Sequence, residues 1–204
     1  ATSSASVMTV HGNDGDDVFE IGSAAEGSTR RTIETGGDLD AVDGTVIVHG
    51  DAPTASDWLH LDDTGDLSGE TGFLTSAAIT GLGMAVGVTY ATVEHLEISL
   101  GADGTEFNVL STNGGTDTLL ETGAGNDTVN VSSDAPTNAG DVDAVAGAVE
   151  AGTVAEPGGG KIETVEAARQ LDECRIAVAT HLRDDSARSL IDVLGTSRLV
   201  AGTG

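Results

Sequence analysis

Residues 12–20 read Gly12-Asn13-Asp14-Gly15-Asp16-Asp17-Val18-Phe19-Glu20, and residues 122–130 read Thr122-Gly123-Ala124-Gly125-Asn126-Asp127-Thr128-Val129-Asn130. In both, a glycine-rich stretch leads to an Asp, and an apolar residue follows two positions later. Glycine allows the tight, positive-φ backbone that turns carbonyl oxygens to one side. The Asp adds a carboxylate, and the β-formers behind it anchor the turn in a strand. A third stretch, Asn113-Gly114-Gly115-Thr116-Asp117-Thr118-Leu119, has the same order and sets Asp117 ten residues before Asp127.

The first two stretches belong to a longer repetition. Residues 15–22, Gly-Asp-Asp-Val-Phe-Glu-Ile-Gly, match 125–132, Gly-Asn-Asp-Thr-Val-Asn-Val-Ser. Residues 37–46, Gly-Asp-Leu-Asp-Ala-Val-Asp-Gly-Thr-Val, match 140–149, Gly-Asp-Val-Asp-Ala-Val-Ala-Gly-Ala-Val. The matches keep their order, so 7–120 reads as one long repeat and 121–150 as the start of another.

Within the repeat, short β-rich runs recur between Gly/Asp/Asn turns. Strands are predicted at 7–10, 17–21, 32–34, 45–48, 57–61, 91–100, 106–110, 118–121 and 128–131. Phe19, Trp58 and Phe107 sit in these runs and are expected in the core. Regular short strands suit a sandwich or a solenoid; the recurring turn chemistry favours the solenoid. The expected fold is all-β, a right-handed parallel β-solenoid over residues 1–155.

The turns resemble the nonapeptide G-G-x-G-x-D-x-U-x of the hemolysin-type (RTX) calcium-binding repeats. That resemblance implies a parallel β-roll with calcium held between turns. Carried onto this chain, the ligands would be the carboxylates of Asp14, Asp17, Asp117 and Asp127 and carbonyls around Gly15, Gly115 and Gly125. The chain departs from the pattern in having isolated or paired motifs instead of a tandem block. Gly101-Ala-Asp-Gly-Thr-Glu-Phe107 displaces the Asp, and Asp38 stands where a glycine belongs.

Two weaker acidic clusters lie outside the motif. Asp38-Leu-Asp40-Ala-Val-Asp43-Gly44 has an EF-hand flavour, but its glycine comes one residue late and no closing Glu follows. Asp62, Asp63, Asp66 and Glu70 form a dense acidic loop after the Trp58 strand and offer a further ion site.

Charge supports a cation as partner. The chain carries 34 acidic against 8 basic residues, a formal net charge of −26. Such a field attracts cations and gives no basic surface for nucleic acid. No apolar run reaches membrane-spanning length, so no membrane insertion is expected. Cys174 is the sole cysteine, which excludes an internal disulfide. Metal ions are an alternative staple for a secreted chain.

Catalytic constellations do not emerge. His11, His49, His60, His95 and His181 are scattered, with no zinc-binding spacing and no nucleophile motif. Carboxylate pairs are too abundant to single any out.

The composition changes near residue 155. Residues 1–160 hold 27 acidic residues against Arg30 and Arg31, whereas 161–204 are close to neutral. Residues 156–161 read as a glycine-rich linker, and 162–204 as a short helical tail. Such a tail is either a different module or a chimeric or frame-shifted end, or it occupies the place of an export signal. The functional expectation is a calcium-binding structural or adhesive repeat segment of a secreted or cell-surface bacterial protein. Its partners would be calcium ions, with surface glycans or other cell-surface proteins as further candidates. The alternative is a non-catalytic accessory domain of a secreted polysaccharide-active or proteolytic enzyme.

Overall fold

The computed structural model describes residues 6–25, 36–52, 56–137, 139–146, 149–155, 161–167, 176–182 and 188–193. Among them the fold is all-β, with no helix. The strands are β1 (Val7–His11), β2 (Val18–Ile21), β3 (Thr45–His49), β4 (Trp58–Asp62), β5 (Thr71–Thr75), β6 (Ala78–Gly81), β7 (Gly87–Ala91), β8 (His95–Ser99), β9 (Glu106–Val109), β10 (Asp117–Glu121), β11 (Asn126–Val131), β12 (Val149–Ala155), β13 (Lys161–Ala167), β14 (Ile176–Leu182) and β15 (Arg188–Val193).

They form two sheets. One runs β1-β3-β7-β6-β5-β9-β11-β13 and the other β15-β14-β12-β10-β8-β4-β2. From β1 to β4, and again from β7 to β14, successive strands alternate between the sheets. Pairing is parallel throughout except around β6 and between β14 and β15. One hydrophobic cluster draws on both sheets: Val46, Val48, Val88, Phe107 and Val109 from the first meet Leu59, Leu61, Leu96, Ile98 and Leu120 from the second. Alternation along each strand supplies these residues, since every second side chain of a strand points to one face.

Most predicted strands appear within a residue or two. Of the run predicted over 91–100, Ala91 ends β7 and His95–Ser99 form β8, in different sheets. Thr92 between them has φ +52, where an L-residue cannot continue a strand. The hairpin of β5 and β6 leaves little signal in the sequence, because Gly72-Phe-Leu-Thr-Ser-Ala-Ala-Ile is short and carries no Asn-Gly turn. The strand predicted at 32–34 lies outside the described residues. The helical tail expected over 162–204 falls in part on segments outside them, and the stretches described there run as strands.

Phe107 is fully buried, and Phe19 packs against the cluster. Trp58 differs from expectation. Leu59 and Leu61 take the inward positions of β4, so Trp58 points to the other face, where its ring stacks on His95 at 4.3 Å.

The internal repetition is visible in the backbone. Ser23 N–H donates to the Asp38 carbonyl, and Ser133 N–H donates to that of Asp141 (3.0 and 2.7 Å). Val42 N–H donates to Leu39, and Val145 N–H to Val142, both at 2.9 Å. The two copies exchange sheets, however. β2 lies in the seven-stranded sheet and its counterpart β11 in the eight-stranded one.

Candidate metal centre

Strand alternation creates two runs of turns. One run leads from the eight-stranded to the seven-stranded sheet and includes residues 12–17, 50–52, 56–57, 92–94 and 110–116. The other leads back and includes 22–25, 36–44, 63–70, 100–105 and 122–125. Turns of the same run are tied to one another. On the returning run, Gly65 N–H donates to the Gly37 carbonyl at 2.6 Å and Ala102 N–H to that of Asp66 at 2.9 Å.

That run brings the two weaker acidic clusters together. Asp63, Asp66 and Glu70 each offer a carboxylate oxygen, and these oxygens all lie within 4.8 Å of one another. Asp63 and Asp66 are buried, at 2% and 8% exposure, and Glu70 is partly buried. Leu39 N–H donates to Asp63 Oδ1 at 3.0 Å, fastening the 38–40 segment to the site. Ser68 fixes Asp66 through its N–H and hydroxyl, at 2.9 and 2.8 Å from Oδ1. Asp40 comes in at the rim. A Cβ at Gly83, whose φ is +68, would collide with Asp40 Oδ1 and lie 3.1 Å from Glu70 Oε1. The positive φ favours glycine there, and a side chain would displace Asp40.

The electrostatics are those of unneutralised carboxylates. Burial, reinforced by Glu70, Asp66 and Asp38, pushes the Asp63 carboxyl up to about 8, against the pull of the Leu39 N–H. Burial and then Asp66, Asp40 and Asp38 push Glu70 up to about 7. Repulsion from Asp38, with smaller contributions from burial and Asp66, raises Asp40. Glu70 Oε2 is buried with no hydrogen-bond partner. A set of oxygen donors that disfavours its own charge is what a hard cation relieves.

The motif residues are distributed differently. Asp14 is exposed, and Gly15 (φ +121) faces open space. Asp17 lies on the outgoing run, where its Oδ2 is buried without a partner. Asp117 is exposed at the start of β10, and Gly115 N–H donates to Asn113 Oδ1 at 3.0 Å. Asp127 is fully buried in β11. Its Oδ1 accepts from Thr105 N–H at 2.9 Å, its Oδ2 has no partner, and burial lifts its carboxyl to about 6. Gly125 (φ +105) packs over Asp103 and Gly104. Asp117 and Asp127 begin strands of opposite sheets, so the ten-residue spacing does not bring their turns together. The sequence marked both acidic clusters, but their convergence depends on turns lying side by side at every second connection.

No helix of the described residues is long and apolar enough to cross a membrane. The chain matches no protein family, no curated protein and no solved structure.

Proposed function

We propose that this chain is a calcium-binding structural or adhesive segment of a secreted or cell-surface bacterial protein, wound as a parallel β-solenoid. The observation that carries the reading is the convergence of Asp63, Asp66 and Glu70, with Asp40 at the rim. All the donors are oxygens, which suits calcium or magnesium and not a soft metal. They sit on turns and vary in burial, which favours the larger ion with its looser geometry over a strict octahedron. Alternating strands, parallel partners and hydrogen-bonded turns of one run support the solenoid. In this reading the ion stitches successive turns and replaces the staple that a disulfide would give. The RTX-like turns around Asp17 and Asp127 are auxiliary contributors.

The test is thermal unfolding, followed by far-UV circular dichroism, in chelator, millimolar calcium and millimolar magnesium. Stabilisation by calcium well beyond that by magnesium, abolished in Asp63→Asn/Asp66→Asn, is the expected result. Equal unfolding in all three solutions would remove the calcium reading.

A further inference from the structure

The outgoing run of turns contains a second set of oxygens, centred on a residue that no motif marks. Asp57 precedes β4 and is fully buried. Its Oδ1 accepts from Asp17 N–H at 2.8 Å, and its carbonyl from Glu94 and His95 N–H at 3.2 and 2.9 Å. Its Oδ2 has no hydrogen-bond partner. The next turn supplies Glu94, whose Oε2 accepts from Asp57 N–H at 3.0 Å.

The same place receives a carbonyl. A Cβ on Gly50 would collide with both Asp57 Oδ2 and the Thr92 carbonyl oxygen. A buried carboxylate oxygen and a carbonyl oxygen thus crowd one glycine. Thr92 has φ +52, an uncommon conformation for a β-branched residue. The preceding turn repeats the arrangement, for a Cβ on Gly12 would lie 2.7 Å from Asp17 Oδ2 and 2.8 Å from the Gly50 carbonyl. The buried, unpartnered Oδ2 atoms of Asp57 and Asp17, each crowded against a carbonyl oxygen, need either a cation or a shared proton.

We infer that Asp57, Glu94 and the Thr92 carbonyl form a second site for a hard divalent or trivalent cation, on the side of the sheets opposite the Asp63 centre. Asp17 and the Gly50 carbonyl extend it by one turn. Asp57, Glu94 and Thr92 belong neither to the Asp63 centre nor to the RTX-like turns, and only the Asp17 extension touches the calcium reading.

Trp58 makes the site measurable. It is the only tryptophan of the chain, directly follows Asp57, and stacks on His95, which directly follows Glu94. The Asp63 centre lies beyond the far end of β4, five residues on, or about 16 Å along a strand. Terbium, a calcium substitute, emits when an excited indole is close, and this transfer falls steeply with distance. Titrating the full chain with terbium under indole-selective excitation should give sensitised emission. Asp57→Asn should weaken that binding by at least ~10–100-fold, the loss that even indirect ligand contacts cause. Asp63→Asn/Asp66→Asn should leave it in place.

Asp57→Asn also separates cation from proton, because an amide N–H can donate to the Thr92 carbonyl as a protonated Asp would. Unchanged emission in Asp57→Asn, no emission from the native chain, or loss of emission in Asp63→Asn/Asp66→Asn would each overturn the inference. Glu94→Gln keeps an acceptor for the Asp57 N–H while removing charge. It carries the same expected loss and preserves the test should Asp57→Asn fail to fold.

Discussion

The two copies of the repeated turn, 37–46 and 140–149, share their backbone hydrogen bonds yet differ in surroundings. Leu39 and Val42 plug the first copy into the core, and Val142 and Val145 plug the second. Asp40 N–H donates to Asp38 Oδ1 at 2.7 Å, as Asp143 N–H does to Asp141 Oδ1 at 3.3 Å. In the first copy, Leu39 is fastened to Asp63, and Asp40 meets Glu70 beside Gly83. In the second, Asp141 and Asp143 are exposed. A repeated acidic turn is therefore not a site in itself. The neighbouring turn of the same run decides whether its charges are gathered or left in water.

The comparison can be broken hardest at the plugs. Leu39→Ala removes a fully buried side chain and should cost about 2–5 kcal/mol, measured by denaturant unfolding. It should also weaken calcium binding, since loss of the plug frees the 38–40 backbone to shift, and its residue-39 N–H holds Asp63. Val142→Ala removes less volume and should cost less, with calcium affinity unchanged. Equal loss of calcium affinity in both variants would mean that the two turns are equivalent after all.

Removing the gathered charges comes next. With calcium at a hundred times its dissociation constant, the stabilisation is ~2.7 kcal/mol. For a chain of this size that raises the melting temperature by about 5–10 °C. Asp63→Asn/Asp66→Asn should abolish that rise, whereas Asp141→Asn/Asp143→Asn should leave it intact. The sharper substitution is Gly83→Ala. Its positive φ alone costs an alanine about 1–2 kcal/mol. The new methyl would also displace Asp40, so calcium affinity read by calorimetry should fall several-fold.

How far the sequence carries this picture depends on the kind of information needed. Alternation in Val46/Val48, Leu59/Leu61 and Leu96/Ile98 identifies strands and their inward faces, because both are local. The Gly-Asp nonapeptides identify turns equally well, yet Asp14 and Asp117 end exposed. What the nonapeptide does not encode is which turns are neighbours. Asp38–Asp40 and Asp63–Glu70 are separated by one strand in each sheet, and meet only because connections of the same direction stack. Asp57 was less legible still, since its importance arises from Gly50 and Thr92, neither of them acidic. Trp58 takes the face opposite to the expected one because strand periodicity fixes alternation but leaves the choice of inward face to its neighbours.

Titration gives the subtlest test. In the metal-free chain, Asp63 and Glu70 have carboxyls raised to about 8 and about 7, above their unfolded values near 3.8 and 4.5. Between those limits the folded state binds more protons than the unfolded state, so its stability falls as pH rises. Chelator-treated protein should thus become progressively more stable as the solution is taken from pH 8 towards pH 5. Saturating calcium should reverse the slope, because the ion binds the ionised carboxylates and acid displaces it. In Asp63→Asn/Asp66→Asn the metal-free gradient should flatten and calcium should no longer change its sign. Melting temperatures at several pH values, with and without calcium, would show whether gathering the charges is what distinguishes the two copies.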